Sequence, residues 1–237
     1  MPGLKSSTRT NLLLCGLLAL ILSFSGQATA HNVDTSDAAF LQAQSGVVFW
    51  PYLYLGAKHM VTGLDHLLFL AGVVFFLRGF RDVAIYVSLF ALGHSLTLIL
   101  GVMLQTSANP YLVDAIIGLS VVYKALENLA QQRNWYFGIN TRAAVFVFGL
   151  CHGLGLATKL QQISLSDEGL VINLLAFNLG VEFGQLMALS VIVLAVFGWQ
   201  RRSAFAFQAA VANWFIMVGG FLLVGIQLTG YWLGSAA

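Results

Sequence analysis

The chain has 237 residues, of which 59% are hydrophobic and only 8% are charged. Soluble proteins contain about 45–50% apolar and about 25% charged residues, so this composition excludes an ordinary soluble domain. It also excludes a disordered chain and a nucleic-acid-binding protein, which needs a basic face. The net charge of +2 indicates no particular partner, and two cysteines cannot form a disulfide framework. The composition therefore predicts a polytopic membrane protein whose main partner is the lipid bilayer.

The first 30 residues resemble a signal peptide. Lys5 and Arg9 precede an apolar run at 12–24, and residues 28–30 match the A-x-A cleavage motif. The alternative is a first transmembrane helix, but the apolar run is short, and small residues and a polar stretch follow it. We predict cleavage after residue 30, which leaves 31–237 as a single transmembrane domain.

Six later stretches are long and apolar enough to cross a membrane as helices, since a crossing takes about 20 residues. They are continuously apolar, whereas the strands of an outer-membrane barrel alternate in polarity. The predicted spans are 53–77, 82–104, 111–131, 142–160, 170–198 and 205–230. The predicted fold is thus an all-α polytopic membrane protein with six transmembrane helices after a cleavable signal peptide.

The cations in the loops predict the orientation of these spans. The loops after the first, third and fifth spans contain six arginines: Arg78, Arg81, Arg133, Arg142, Arg201 and Arg202. The alternate loops offer only Lys159. Because cytoplasmic loops are enriched in Lys and Arg, we place the arginine loops inside. This predicts a protein of the bacterial inner membrane with both mature termini on the outer, periplasmic side.

The predicted spans carry an unusual number of polar side chains. Each buried charge costs about 2.5–3.5 kcal/mol on insertion scales, so such groups are expected to face the bundle interior or a water-filled cavity. They are His59, Asp65, His66, His94, Asp114, Lys124, Glu127, Asn128, His152, Asn178, Glu182 and Gln185.

The first predicted span contains the densest group. His59 and His66 are seven residues apart, which places them on nearly the same helix face about 10 Å apart. Asp65 could bind the same ion as His66 or orient its imidazole. Asn178 and Glu182 start a predicted polar stripe, completed by Gln185, along one face of the fifth span.

His94 and His152 lie near the middle of the second and fourth spans, at a depth similar to that of the groups above. Imidazole and carboxylate groups at one depth are typical ligands of a divalent transition metal. The predicted metal-site residues are His59, Asp65, His66, His94, His152, Asn178 and Glu182. For Lys124 and Glu127 we expect a structural ion pair, for Asn128 a hydrogen bond between helices, and for Asp114 a solvated position.

These motifs resemble those of the HupE/UreJ family of bacterial membrane proteins, associated with nickel or cobalt uptake for hydrogenase and urease. Residues 59–66, HMVTGLDH, are similar to the family's H-x5-D-H signature. Residues 148–153, FGLCHG, are similar to its second His-Gly motif, without the second His-Gly and the Glu of the fuller form. Residues 91–95 and 177–182 look like those of a distinct branch of the same family. The resemblance covers nearly the whole mature chain and implies transport of nickel or cobalt.

The leading functional hypothesis is a secondary permease for a divalent transition metal, with nickel or cobalt favoured and zinc also compatible with nitrogen and oxygen ligands. The ion is then cargo, no prosthetic group is expected, and a transporter is favoured over an enzyme. The runner-up is an intramembrane zinc hydrolase that uses an activated water. A third class is a b-type haem protein with His94 and His152 as ligands. The sequence leaves a homo-oligomer open.

Overall fold

The computed structural model describes residues 35–77, 79–106, 108–135, 138–162 and 168–234. In these ranges all regular secondary structure is helical. The helices are α1 (Thr35–Gln42), α2 (Phe49–Thr62), α3 (Leu64–Val74), α4 (Phe80–Met103), α5 (Pro110–Gln132), α6 (Thr141–Gln162), α7 (Leu170–Gln200) and α8 (Phe205–Gly234). The predicted signal peptide and its cleavage site lie outside the described residues.

Four of the helices are long and apolar enough to span a membrane: α4, α6, α7 and α8. They show that the chain is a multi-pass membrane protein and match four predicted spans to within a few residues. Helix α5 has 23 residues and matches the predicted third span, but it carries three charged side chains. Helices α2 and α3 together cover the first predicted span. That α5 and the α2–α3 segment also cross the membrane remains a prediction.

The first predicted span is broken at Gly63. This residue has φ −70° and ψ 107°, an extended conformation between the end of α2 and the start of α3. Its amide N–H still donates to the carbonyl of His59 at 2.9 Å, and its own carbonyl accepts from Leu67 N–H at 3.0 Å. A Cβ at position 63 would lie 2.9 Å from Nδ1 of His66 and 3.1 Å from the carbonyl oxygen of His59. The absence of a side chain at Gly63 therefore lets both residues lie close to the break. The continuous apolar pattern predicted one unbroken helix here.

Three helix pairs form the bundle, and each packs through glycines. A Cβ on Gly153 of α6 would overlap the carbonyl oxygen of His94 on α4. In the same way, a Cβ on Gly180 of α7 would overlap a carbonyl of α2, and Gly118 of α5 lies against Gly220 of α8. Such small residues let backbones approach closely, which is how membrane helices associate without a hydrophobic driving force between them.

Helix α3 lies at the centre of these pairs. It contacts α2, α5, α7 and α8, and the ring of its Phe69 packs on Phe90 of α4 and Phe148 of α6. Its buried residues are Asp65, His66, Phe69, Leu70, Gly72, Val73 and Val74. The short helix that begins at the break therefore presents its first turn, with Asp65 and His66, to the interior of the bundle.

Candidate functional site

Four histidines from four helices meet at the break in the first span. The ring centre of His66 lies 5.3 Å from that of His59, 5.8 Å from His94 and 5.0 Å from His152. His66, His94 and His152 are completely buried, and His59 is half-buried. The close packing of α4 on α6 brings His94 and His152 to the first turn of α3. Residues that are 93 positions apart in the sequence thus form one imidazole cluster.

The break at Gly63 lies between His59 and His66 in the sequence. On a continuous helix, seven residues would separate the two side chains by about 10 Å along the axis. The backbone at Gly63 is extended, and the two ring centres lie 5.3 Å apart. The two rings are thus closer together than the axial separation of their positions, and His59 lies against His66.

Two imidazoles form hydrogen bonds that indicate which ring nitrogen carries the proton. Nδ1 of His152 lies 2.7 Å from the carbonyl oxygen of Phe148, and Nδ1 of His66 lies 3.3 Å from Oδ1 of Asp65. A carbonyl oxygen and a carboxylate can only accept, so Nδ1 carries the proton in both rings. In the neutral form the lone pair is then on Nε2, the nitrogen that a metal ion would bind. Asp65 thus lies where an orienting carboxylate is needed.

Aromatic rings surround the histidines, and sequence reasoning missed them. Phe69 and Phe90 are buried, and their ring centres lie 5.6 Å and 5.0 Å from that of His152. Phe148 packs on Phe69 at 5.8 Å. The available signal was the spacing: Phe90 and Phe148 each precede a histidine by four residues, one helical turn.

The spacing of the rings is compatible with a shared ion, although the nitrogens do not converge. Imidazoles bound to one ion at about 2.0–2.1 Å have ring centres roughly 5 Å apart. The observed separations of 5.0–5.8 Å are close to this. Within the described residues, however, no three His, Cys, Asp or Glu side chains are arranged to hold a metal ion. Binding would therefore require the rings to turn, with little movement of the backbone.

Helix α7 presents only part of its predicted polar stripe to the interior. Asn178 and Gln185 are buried, and Nδ2 of Asn178 donates to the carbonyl of Leu174 at 3.1 Å. Glu182 is exposed. It is two residues, or about 200°, from both Gly180 and Gly184, which pack on α2, so it points away from that helix. The structure does not bring Glu182 into the histidine cluster.

Three polar side chains of α5 have partners within the bundle. Nζ of Lys124 lies 2.8 Å from Oε2 of Glu127, and Nδ2 of Asn128 donates to the carbonyl of Gly72 and to Oδ1 of Asn213, as the sequence predicted.

The prediction for Asp114 was wrong. Only 2% of this residue is exposed, and its Oδ2 lies 2.7 Å from Nζ of Lys159 on α6. The nearness of Asp114 to the outer end of its helix suggested solvent, but α6 covers that end and supplies a cation.

The fold and the site together define a class: a multi-pass helical membrane protein with imidazoles and a carboxylate buried at a broken helix. Residues 35–235 match the family model described as HupE / UreJ protein. The chain therefore belongs to the HupE/UreJ family. No curated protein sequence and no solved structure matches the chain.

Proposed function

We propose that this protein is a secondary permease that carries a divalent transition-metal ion, nickel or cobalt before zinc, through its helical bundle. The observation that supports this most directly is the cluster of four histidines at the break of the first span, with ring centres 5.0–5.8 Å apart. Membership of the HupE/UreJ family supports transport of this class of ion. Nitrogen and oxygen donors suit these metals better than Cu(I), which prefers sulfur.

Each residue of the cluster has a role in this proposal. His59, the half-buried member, is the first ligand for an ion that arrives from outside. His66, His94 and His152 bind the ion in the dry interior, through Nε2 in the case of His66 and His152. Asp65 keeps the proton of His66 on Nδ1, which leaves Nε2 for the ion, and compensates part of the charge of the ion.

The membrane potential is sufficient to drive inward transport. Moving two charges across the membrane releases about 4.6 kcal/mol per 100 mV, or about three decades of concentration. The intramembrane zinc hydrolase, the alternative from the sequence, has no comparable support, because neither the family match nor the geometry of the described residues favours hydrolysis over transport.

Uptake into proteoliposomes tests the proposal. Purified protein with an inside-negative potential is expected to accumulate Ni²⁺ or Co²⁺ far above protein-free vesicles, and to do so less when the potential is collapsed. The same preparation is tested for hydrolysis of a panel of lipids. Hydrolysis without accumulation of any of the three metals would replace the permease by the hydrolase.

A labelling experiment tests the proposed orientation, in which the arginine loops are cytoplasmic and both mature termini face the periplasm. Thr106 follows α4 and Ser203 follows α7, and both are exposed. In a chain without Cys15 and Cys151, a cysteine at position 106 is expected to react with a membrane-impermeant reagent in intact cells. A cysteine at position 203 is expected to react only after lysis. The reverse pattern would invert the topology.

A further inference from the structure

A cavity of about 200 Å³ lies on the side of the bundle where α3 ends. Its walls are Val73, Phe76, Leu77, Tyr86, Lys124, Glu127, Gln131, Trp135, Ile139 and Thr141. A larger cavity, of about 810 Å³, shares three of these residues and reaches Arg201 in the loop after α7. The two spaces therefore adjoin each other, and the larger one extends to the arginine-rich end of the bundle.

We call the smaller of these two spaces the inner cavity. A layer of aromatic rings lies between the inner cavity and the histidines. Phe69 and Phe90 contact His152, and Val73 and Tyr86, which line the cavity, are one turn further along α3 and one turn earlier on α4. One turn is about 5.4 Å, so the cavity begins directly behind the two rings. Both rings are 1% exposed, and the layer they form with Phe148 is closed in this structure.

Two opposite charges line the inner cavity. The Lys124 ammonium lies 2.8 Å from Oε2 of Glu127, with 8% and 16% of the two side chains exposed. The hydroxyl of Thr141 donates to the other carboxylate oxygen, Oε1. The stem of Lys124 packs on α3, because a Cβ at Gly72 would lie 3.1 Å from its Cγ. Helix α3, which carries His66, is thus in contact with Lys124, the residue that forms an ion pair with Glu127.

We propose that Glu127 is a second cation-binding residue, which receives the ion after the histidines, and that Lys124 is a built-in cation that holds this carboxylate until the ion arrives. This inference deepens the proposed permease function and rests on it for the identity of the ion. A divalent ion displaces the ammonium because it carries twice the charge. The cavity has room for a hydrated ion, since about six waters at about 30 Å³ each fill about 180 Å³.

The same arrangement limits flow back to the outside. When Lys124 is paired with Glu127, an ion from the cytoplasmic side meets a positive charge in front of the aromatic layer. Removing the ammonium exposes the carboxylate to the cavity and makes it a stronger site for a cation from that side. The neutral, unbranched substitution Lys124→Met keeps the packing on Gly72 and removes the charge together with the hydrogen bond to Glu127.

The fluorescence of Trp135, which lines the inner cavity, gives a readout that does not depend on transport. The contribution of Trp135 is the emission that Trp135→Phe removes, and Ni²⁺ alone is the probe. In the purified full-length protein, Lys124→Met is expected to shift quenching of this emission to at least tenfold lower Ni²⁺. Lys124→Met combined with Glu127→Gln is expected to lose that gain completely.

A second ion pair provides the matched control. Lys159 and Asp114 form a 2.7 Å pair between α5 and α6 at the opposite end of the bundle. Neutralising that pair is expected to leave Trp135 quenching unchanged. Quenching that Lys124→Met leaves unchanged, or that persists in the double variant, would overturn the inference. If the variants quench as expected but no metal accumulates in proteoliposomes, the inner site stands and the permease function fails.

Discussion

Replacing His66 by alanine is expected to abolish metal uptake, with a reduction of more than about 100-fold, since loss of a residue that merely orients a ligand already costs about 10–100-fold. The ring of His66 lies within 6 Å of those of His59, His94 and His152. Removing it therefore takes away the imidazole that contacts the rings of His59, His94 and His152. Asp65→Asn is expected to give the intermediate loss of about 10–100-fold. Initial uptake rates in proteoliposomes, normalised to the amount of protein, measure the series.

Two comparisons make this result specific. Glu182→Gln removes a charge from the exposed face of α7 and is expected to keep uptake near that of the unmodified chain. His66→Gln keeps a polar side chain of similar size, which separates loss of the ligand from loss of packing. Near-normal uptake by His66→Ala at normal abundance would remove His66 from the site. A loss by His66→Ala that His66→Gln fully restores would assign the residue to packing.

The second large effect is expected from Gly153→Ala, which adds a single methyl group. The added Cβ would overlap the carbonyl oxygen of His94 and crowd the Thr97 hydroxyl, so α4 and α6 must separate. Overpacking costs about 1–3 kcal/mol, which for a chain of this size corresponds to a melting temperature lowered by roughly 3–10 °C. Thermal unfolding of the purified protein in detergent measures the shift.

Gly225 provides the control for the methyl group itself. A Cβ on this residue of α8 meets no described atom within 4 Å. Gly225→Ala is expected to leave the melting temperature unchanged or raise it slightly, because alanine favours the helix by about 1 kcal/mol. Equal melting temperatures for the two variants would show that α4 and α6 are not held at the distance that Gly153 allows.

The sequence predicted the long helices well, because the length of an apolar run determines which residues can lie in lipid. The predicted span 82–104 corresponds to α4, Phe80–Met103, and 111–131 corresponds to α5, Pro110–Gln132. The break at Gly63 could not be read in this way, since Gly63 lies inside the apolar stretch 53–77 and does not shorten it. A glycine between two polar groups was the only local signal.

The side-chain set of the site was harder to predict than the helices. The helical period gives the direction of a side chain relative to its neighbours on the same helix, and it gives no information about which other helix covers that face. Asn178, Glu182 and Gln185 share a spacing, yet Gln185 is covered and Glu182 is exposed. For Asp114 the error was the opposite one: it was predicted to be solvated and is buried. Its partner Lys159 is 45 residues away in the sequence, so the helical period could not reveal the pair.

Helix α1 has a consequence for biogenesis. Leu41 is 1% exposed and belongs to an apolar cluster that includes Leu98, Leu160 and Val181, and Asp37 lies 2.8 Å from Lys58. The ribosome synthesises α1 before every one of these partners. The apolar cluster around Leu41 is therefore complete only after α7 has been synthesised, some 140 residues later.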